Sequence, residues 1–469
     1  MPTPSLLIVP SRWKTGNPGK LYSQIPTNGN GDFNVTGVVT GAGNIGTRVN
    51  NLGYIESITT SGTPRLDYYT SSGLPGCPAL LVEPSGTNLA VQSEDFTLSA
   101  NWNTSTFGRT LVTGDVTATL DPYGGNVADL LSDDNTASNT HRMYTAGNIS
   151  ITSGTTYSTS FFVKANTTPW FEIRLMQSNE GDAGIVGTVF NLTSGTITSG
   201  SGTIQNYGNG WYRCTNIGTS NFTGNGRIFF YVYNSSGTKS YNGTSSNSLY
   251  IFGAQLETGS VATSYIPTTT AAVTRNADVV SVSGAVSGSI GQTQGTIYCE
   301  FVNTLVASYT ESYVYRVFAD ANNEIWARKE GGGNTYSFRW RANSQNTTFL
   351  NVAVPNGVSK IAFGYKSGDT ALFLNGSQVA TTNTDVRAFS VNPTTIALGS
   401  TSSGQFFNDR IRAVALYTTR LTNADLMLLT LPGNNTYLPQ AVWNNYLSRP
   451  GSTELPDCLY TRHADLLDV

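Results

Sequence analysis

Charge is what this 469-residue chain has least of. Asp, Glu, Lys and Arg make up 12% of it, against roughly 25% in an average soluble protein. Lysine is scarce, the last being Lys366, and there are only 2 histidines and 4 cysteines. With a formal net charge of −3 and a pI near 5.5, the chain lacks the concentrated cations that nucleic-acid phosphates require, so nucleic-acid binding is not expected. His141 and His463 have no Cys or second His at ligand spacing, which argues against a transition-metal motif. His141 follows Asn139-Thr140 in a polar stretch and reads as a loop residue. Cys77, Cys214, Cys299 and Cys458 are far apart with no C-x-x-C spacing, which fits free thiols. No apolar run approaches the length of a membrane span, and the opening Met1-Pro2-Thr3-Pro4-Ser5 lacks the charged start of a secretory signal. Neither membrane insertion nor Sec export is expected.

What is abundant is glycine, at 49 residues, with many Ser, Thr and Asn and an aromatic content of 11%. Disorder would go with few aromatics and high net charge, and this chain has the reverse. Many short strands joined by Gly/Asn turns fit better, so the fold class is all-β. Alternation supports this. Phe171, Ile173 and Leu175 share one face of a predicted strand, with Trp170, Glu172 and Arg174 on the other. Likewise Tyr157, Thr159, Phe161 and Val163 alternate with Thr156, Ser158, Ser160 and Phe162. Tyr336, Phe338 and Trp340 share a face opposite Arg339 and Arg341, which places Trp340 in a core. Asn375-Gly376 between two strand patterns predicts a type I′ hairpin. Asp320 to Glu324 reads as a hairpin turn, and Thr422 with Asp425 as a capping box opening one short helix near 423–430. The organisation expected is tandem antiparallel β-sandwiches: a leader at 1–75, a first sandwich at 76–275, a linker at 276–294, a second sandwich at 295–431 and a C-terminal extension at 432–469. The extension carries Trp443, Tyr446 and Tyr460 and is expected to pack on something.

Two motifs about 160 residues apart carry a more specific resemblance. The first runs Leu80-Leu81-Val82-Glu83-Pro84-Ser85-Gly86-Thr87-Asn88-Leu89 and continues through Gln92-Ser93-Glu94-Asp95-Phe96 to Trp102. The second is Tyr250-Ile251-Phe252-Gly253-Ala254-Gln255-Leu256-Glu257-Thr258-Gly259, followed by Thr263-Ser264-Tyr265-Ile266-Pro267-Thr268. They resemble the opening and closing segments of carbohydrate-binding-module-like jelly rolls in tailed-bacteriophage structural proteins. The leader, with Ser5-Leu6-Leu7-Ile8-Val9, Thr47-Arg48-Val49-Asn50-Asn51-Leu52-Gly53-Tyr54 and Pro64-Arg65-Leu66-Asp67-Tyr68-Tyr69, resembles phage fibre and decoration proteins. It departs from them in its glycine-rich segment between Val35 and Gly46. The second sandwich resembles concanavalin A-like lectin/laminin-G-type domains, through its Asn-Gly hairpin, the strand Ile411 to Tyr417 and the turn after it. The resemblance implies a virion protein (fibre, spike or capsid decoration), assembled in the host cytoplasm and released by lysis. Its implied partners are other virion proteins bound through the leader, further copies in an oligomer, trimers being common among phage fibres, and bacterial surface glycans.

Candidate site residues follow from face assignment. Sugar binding needs exposed aromatic faces with polar groups beside them. Trp170 with Glu172 and Arg174, and Trp326 with Arg328 opposite Ile325 and Ala327, fit that pattern, so these five are the glycan candidates; a slip of one residue in register would exchange the faces. Jelly-roll carbohydrate modules often carry a structural ion between their first and last strands, which makes Glu94, Asp95 and Glu257 the calcium candidates. No other cofactor is implied. The enzymatic alternative is a capsule depolymerase of the glycoside-hydrolase type, which needs two carboxylates held about 5–9.5 Å apart. No Glu-x-Asp-x-x-Glu run occurs, Glu94-Asp95 would point to opposite strand faces, and Asp133-Asp134 read as solvated turn residues. No enzymatic activity is expected.

Overall fold

The computed structural model describes residues 2–10, 21, 34–36, 45–60, 62–104, 109–179, 183–283, 288–304, 311–331, 333–382, 388–401 and 404–433. The expectations for the C-terminal extension beyond residue 433, for His463 and Cys458, and for most of the leader's glycine-rich stretch fall outside these residues. What is described is almost entirely β: antiparallel sheets that stack as two sandwiches, with one α-helix.

The first sandwich pairs a six-stranded sheet with an eight-stranded one. The six-stranded sheet runs in the order Gly202–Gly208, Trp211–Thr219, Thr156–Ala165, Ser248–Thr258, Asp129–Asp133, Thr110–Thr113. At the centre of the eight-stranded sheet are Trp170–Gln177, Gly224–Val232 and Asn139–Thr145. Alternation decides which side chains meet between the sheets. Tyr157, Phe161 and Val163 from one sheet, and Phe171, Ile173, Leu175, Phe230 and Val232 from the other, form one core. Phe171 stacks on Phe190 and Phe230, each centroid 5.1 Å away.

The opening and closing motifs of this sandwich touch each other. The Asn88 amide donates to the carbonyls of Ala254 (3.0 Å) and Ile266 (2.8 Å), and its oxygen accepts from Leu256 N (3.0 Å). Gln255 Oε1 accepts from Ile266 N at 2.8 Å. At Gly86 a Cβ would lie 2.3 Å from Glu257 Oε1 and 2.7 Å from Thr263 Oγ1, so a side chain there would displace the buried Glu257–Thr263 contact.

The second sandwich pairs an eight-stranded sheet with a seven-stranded one. Tyr336, Phe338 and Trp340 all point into its core, as their alternation predicts, and the Trp340 ring lies 4.9 Å from Tyr365. Asn375 and Gly376 take φ of 48° and 84° between the strands Thr370–Leu374 and Ser377–Thr382, the double positive φ that the I′ hairpin demands. The helix Asn423–Thr430 begins where expected. Thr422 Oγ1 accepts from Asp425 N at 3.1 Å and donates to Asp425 Oδ2 at 2.8 Å. Leu426 and Leu429 seat this helix on the outer face of the eight-stranded sheet, against Tyr298, Ala362 and Tyr417.

The leader is built into this architecture. Leu6–Ile8 pairs antiparallel with Asp409–Tyr417 in the second sandwich, and Leu6 and Ile8 enter its core. Ala79–Val82, within the segment assigned to the jelly roll, pairs with the same strand. Val279–Ser283, within the expected linker, belongs to the seven-stranded sheet, with Val280 and Val282 in the core. The apolar side chains of these short segments are buried by the most distant part of the chain, which local pattern does not reveal. The hairpin Gly46–Val49/Ile55–Ile58 packs Ile55 beside Phe162, Trp211, Phe252 and Tyr265 on the outer face of the six-stranded sheet. Leader and helix therefore cover two of the four outward sheet faces.

Where leader, connector and both sandwiches meet, charges are buried. Arg65, with no exposed surface, forms a short ion pair with Asp278 and reaches Glu83 at 2.7 Å. It also donates to Ser264 Oγ (2.6 Å) and to the Thr47 carbonyl (3.1 Å). Arg275 adds a second guanidinium at 3.4 Å from Glu83. Burial alone would push Glu83 up. The charges of Arg65 and Arg275, with the Ser264 hydroxyl, override it and hold the carboxyl at about 2. Such a network is expensive to desolvate and still more expensive to break in half. Asp278→Ala is expected to lower folding stability by about 3–5 kcal/mol, read as a fall in melting temperature. Because its folded pKa is depressed, Glu83 contributes stability that is complete above its ordinary value of 4.5 and lost as pH falls through about 2. Acid unfolding of the wild type should steepen across that window, and Glu83→Gln should flatten it.

Candidate functional site

Among the described residues, the helix and the leader leave two broad outward faces, and each carries one of the candidate tryptophans. On the first sandwich, Trp170, Glu172 and Arg174 lie on the outer face of the eight-stranded sheet while Phe171, Ile173 and Leu175 are fully buried inside. The register carries the pattern across the sheet. Glu172 is opposite Tyr231, which is opposite Arg142; Arg174 is opposite Phe229, which is opposite Tyr144. Tyr144, Phe229 and Tyr231 form a stacked row with centroid separations of 5.2 and 6.1 Å.

Cations cover this aromatic row. The Arg142 guanidinium lies 5.9 Å from the Tyr144 ring, 5.6 Å from Phe229 and 6.0 Å from Tyr231. Arg227 lies 5.4 Å from Tyr144, and the Lys239 ammonium 3.8 Å from Tyr231. Cations over the negative faces of rings are attracted electrostatically. Here they leave Tyr144, Phe229 and Tyr231 no more than 4% exposed. Glu172 is buried and accepts from Tyr233 Oη (2.8 Å) and Lys239 Nζ (2.5 Å). Trp170 is half-buried at the end of the row, with the Gly237 turn against its ring. The outermost layer is therefore guanidinium and indole edge, and the aromatic row lies beneath it.

The second sandwich repeats the device with a different charge balance. Ile325 and Ala327 point inward as expected, and Trp326 and Arg328 share the outer face. Trp326, however, is only 3% exposed, so it offers no open stacking platform. Tyr313 packs edge-on at 5.7 Å, Arg328 and Arg339 lie 4.9 and 5.7 Å from its ring, and its Nε1 donates to Glu324 Oε1 at 3.2 Å. Three arginines here face carboxylates: Arg316 and Arg339 lie 2.8 and 3.8 Å from Glu324, and Arg328 lies 2.8 Å from Glu311 and 2.9 Å from Glu330. Sequence reasoning placed both tryptophans on the correct face but could not foresee the arginines folded over one of them.

The calcium candidates do not converge. Glu257 is buried and accepts from Gln255 Nε2 (2.6 Å), Thr263 N (2.7 Å) and Thr263 Oγ1 (2.8 Å). Burial pushes its pKa up. Glu94 accepts from Tyr265 Oη at 3.1 Å, and Asp95 turns back to Thr97 N and Oγ1. Among the described residues no group of three or more His, Cys, Asp or Glu is placed to hold a metal. Each carboxylate is instead an acceptor for protein donors, Asp95 within its own turn, Glu94 and Glu257 in the closing segment.

His141 and the Asp133-Asp134 pair also depart from expectation. His141 is in the strand Asn139–Thr145 and fully buried, with Nδ1 3.0 Å from Asp134 Oδ1 and its ring 4.5 Å from Tyr241. Asp133 is buried too, and collects Thr244 N (3.1 Å), Asn247 N (2.9 Å) and Asn247 Nδ2 (3.0 Å). Backbone donors in the 244–247 loop need acceptors once water is excluded, and Asp133 supplies them. These residues look polar in sequence because their partners are about a hundred residues away.

No family model matches the sequence, and no curated protein matches it. Among solved structures, the chain is similar to the CBM40 of a Ruminococcus gnavus IT-sialidase bound to alpha2,3 sialyllactose, at 16% identity over 31% of this chain and 87% of that one, with TM-score 0.27. It is also similar to domain 4 of AbnA, an extracellular GH43 arabinanase from Geobacillus stearothermophilus, in complex with arabinotriose (15% identity, 33% and 73% covered, TM-score 0.28). A third is the receptor binding domain of botulinum neurotoxin mosaic serotype C/D (12% identity, 32% and 38% covered, TM-score 0.27). The sugars named with the first two belong to those proteins, and at these scores the likeness carries no argument about the ligand of this chain.

The contrast in burial has a measurable consequence. Trp326→Ala should cost roughly 3–5 kcal/mol of stability, as truncation of a buried Trp does. Trp170→Ala, at a half-buried edge, should cost clearly less. Thermal unfolding of the two variants side by side checks this, and equal losses would contradict the assignment.

Proposed function

We propose that this chain is a structural protein of a bacteriophage particle that displays glycan-binding-type sandwiches towards the bacterial surface, with sugar contact at the Trp170 face. The observation that carries the sugar-binding part is a broad sheet face, left uncovered by the chain's own leader and helix among the described residues. It holds the half-buried Trp170 indole beside charged side chains. Carbohydrate recognition asks for that combination: an apolar ring for the flat side of a pyranose, with hydrogen-bonding groups held rigidly around it. The virion part rests on the resemblance of the opening and closing motifs and of the leader. A shallow, open face makes each contact weak. Many copies on one particle would make attachment effective, because each further contact then forms at high effective concentration.

Catalysis has less to support it than display. The buried carboxylates described above are each engaged by hydrogen-bond donors, and among the described residues the Trp170 face holds one carboxylate, Glu172, already bonded to Tyr233 and Lys239. A depolymerase reading would need a second free acid opposite it.

Electrophoresis of the purified chain through gels containing host surface polysaccharide tests the sugar-binding part. Wild-type protein should be retarded, Trp170→Ala should reduce retardation about tenfold, and a folded Trp326→Phe variant should leave it unchanged. Absence of retardation by every surface polysaccharide of an adsorbing host would overturn it. Antibody labelling of intact particles tests the virion part, and unlabelled particles would overturn that separately.

A further inference from the structure

The apolar core of the second sandwich ends at one rim in polar residues. In the strand Gln294–Asn303 of the eight-stranded sheet, Ile297, Cys299 and Phe301 point into the core, and Asn303 takes the next inward position. In the strand Asn323–Lys329 of the seven-stranded sheet, Ile325 and Ala327 point inward, and Lys329 follows them. Phe301 is opposite Ile411, which is inward on the strand Asp409–Tyr417, and Asp409 is two residues further towards the same rim. Its Oδ2 accepts from Thr304 N and Oγ1, both at 2.8 Å, beside Asn303.

An amine and a carboxamide on inward positions are costly to desolvate unless they find partners. Here they find each other across the sandwich, with Lys329 Nζ 3.2 Å from Asn303 Oδ1. We infer that these two side chains join covalently, the Lys329 amine displacing ammonia from the Asn303 carboxamide to leave an isopeptide cross-link between the two sheets. This inference is independent of what the Trp170 face binds.

The surrounding groups suit acyl transfer. Tyr336 Oη donates to Asn303 Oδ1 at 2.8 Å, so the oxygen on which negative charge develops already has a donor in place. Tyr336 is fully buried, which pushes its pKa far up and keeps the phenol protonated. The leaving nitrogen, Asn303 Nδ2, donates to the carbonyls of Val354 and Pro355, each 3.1 Å away, which fixes the carboxamide plane. Lys329 Nζ is steadied by the Thr304 carbonyl at 3.2 Å. Burial pushes the Lys329 pKa down, against the pull of the Asp409 charge, and pushes Asp409 up. Both shifts favour a neutral, nucleophilic amine near a protonated acid.

In the step itself, the Nζ lone pair attacks Cγ while the carbonyl π electrons move onto Oδ1, under the Tyr336 hydrogen bond. The carbonyl re-forms as the Cγ–Nδ2 bond breaks. Asp409 is the proton carrier: it supplies a proton to the departing Nδ2 and recovers one from Nζ. Ammonia leaves, a secondary amide remains, and no oxidant, reductant or other reactant is consumed. Because the joined residues belong to different sheets, the bond fastens the layers of the sandwich and restricts the unfolded chain as a disulfide does.

Intact-mass spectrometry of the denatured full-length chain reads this reaction directly. Wild-type protein is expected to be lighter than its sequence mass by one ammonia. Its tryptic digest should contain a branched peptide in which Lys329 is uncut and joined to Asn303. Lys329→Arg, which keeps the charge but is never a free amine, and Asn303→Ala should both show their full sequence masses. Tyr336→Phe keeps the ring without the donor, and should slow the appearance of the lighter species after refolding roughly a hundredfold. Asp409→Asn, which keeps an acceptor for Thr304 without the acid proton, should slow it as well. Wild-type protein at its full sequence mass would overturn the inference whatever the variants do. So would an ammonia loss that maps to Asn375-Gly376 as a succinimide, or one that persists in Lys329→Arg. Cross-linking at the wild-type rate in Tyr336→Phe or Asp409→Asn would overturn the role given to that residue.

Discussion

The architecture depends on the ion cluster at the seam. Arg65 comes from the leader, Glu83 from the strand that leaves the second sandwich, and Arg275 and Asp278 from the segment that returns to it, while Ser264 comes from the closing loop of the first sandwich. Two stretches of chain, 65–83 and 264–278, separated by about 180 residues, are held by two guanidinium groups and two carboxylates, all essentially excluded from water. A hydrophobic seam of the same size would tolerate small slips. A charge cluster does not, because any misplacement leaves a charge buried and unpaired, at a cost of several kcal/mol. It therefore specifies how the two sandwiches meet, at some expense in stability. Asp67 and Arg410 extend the same logic one step outward, at 2.5 Å.

That cluster also shows what the sequence could and could not reveal. Strand faces were legible wherever alternation was strict: Phe171, Ile173 and Leu175, and Tyr336, Phe338 and Trp340, all point inward as read. So were the Asn375-Gly376 turn and the Thr422 cap, whose determinants lie within four residues of each other. The opening and closing motifs were legible as a pair, and Asn88, Gly86 and Gln255 explain why, since they clamp the two ends together. Nothing local announced that Leu6–Ile8 and Ala79–Val82 would join the second sandwich, because their partners are more than three hundred residues away. His141 and Asp133 were misread for the same reason. A polar residue looks like a loop residue until the loop that satisfies it is known.

The candidate site was half legible. The period of two placed Trp170 and Trp326 on outer faces, but exposure depends on what lies above a face as well as which way it points. Long arginine side chains bury their stems and spread their heads over neighbouring rings, and strand patterning carries no signal for where they will settle. Trp326 is sealed by Arg328, which the face assignment placed beside it, and by Arg339 and Tyr313, which come from neighbouring strands and which it could not supply.

The topology constrains how such a face can be used. The first sandwich leaves and rejoins the second through neighbouring segments, Gly86–Asn88 paired with Val273–Arg275, and the ion cluster sits beside that ribbon. A module held by one flexible linker samples many orientations and loses that freedom on each binding event. A module held at both ends beside a charged lock loses less, so more of each weak contact remains as affinity. The same rigidity sets the angle between the Trp170 face and the rest of the protein. Under the proposed function, attachment by many copies would depend on whether particle geometry lets neighbouring faces reach one polysaccharide surface together, since avidity vanishes when they cannot. For a shallow site whose single contacts are weak, that geometric condition matters more than the strength of any one hydrogen bond, and the buried cluster is what holds the geometry fixed.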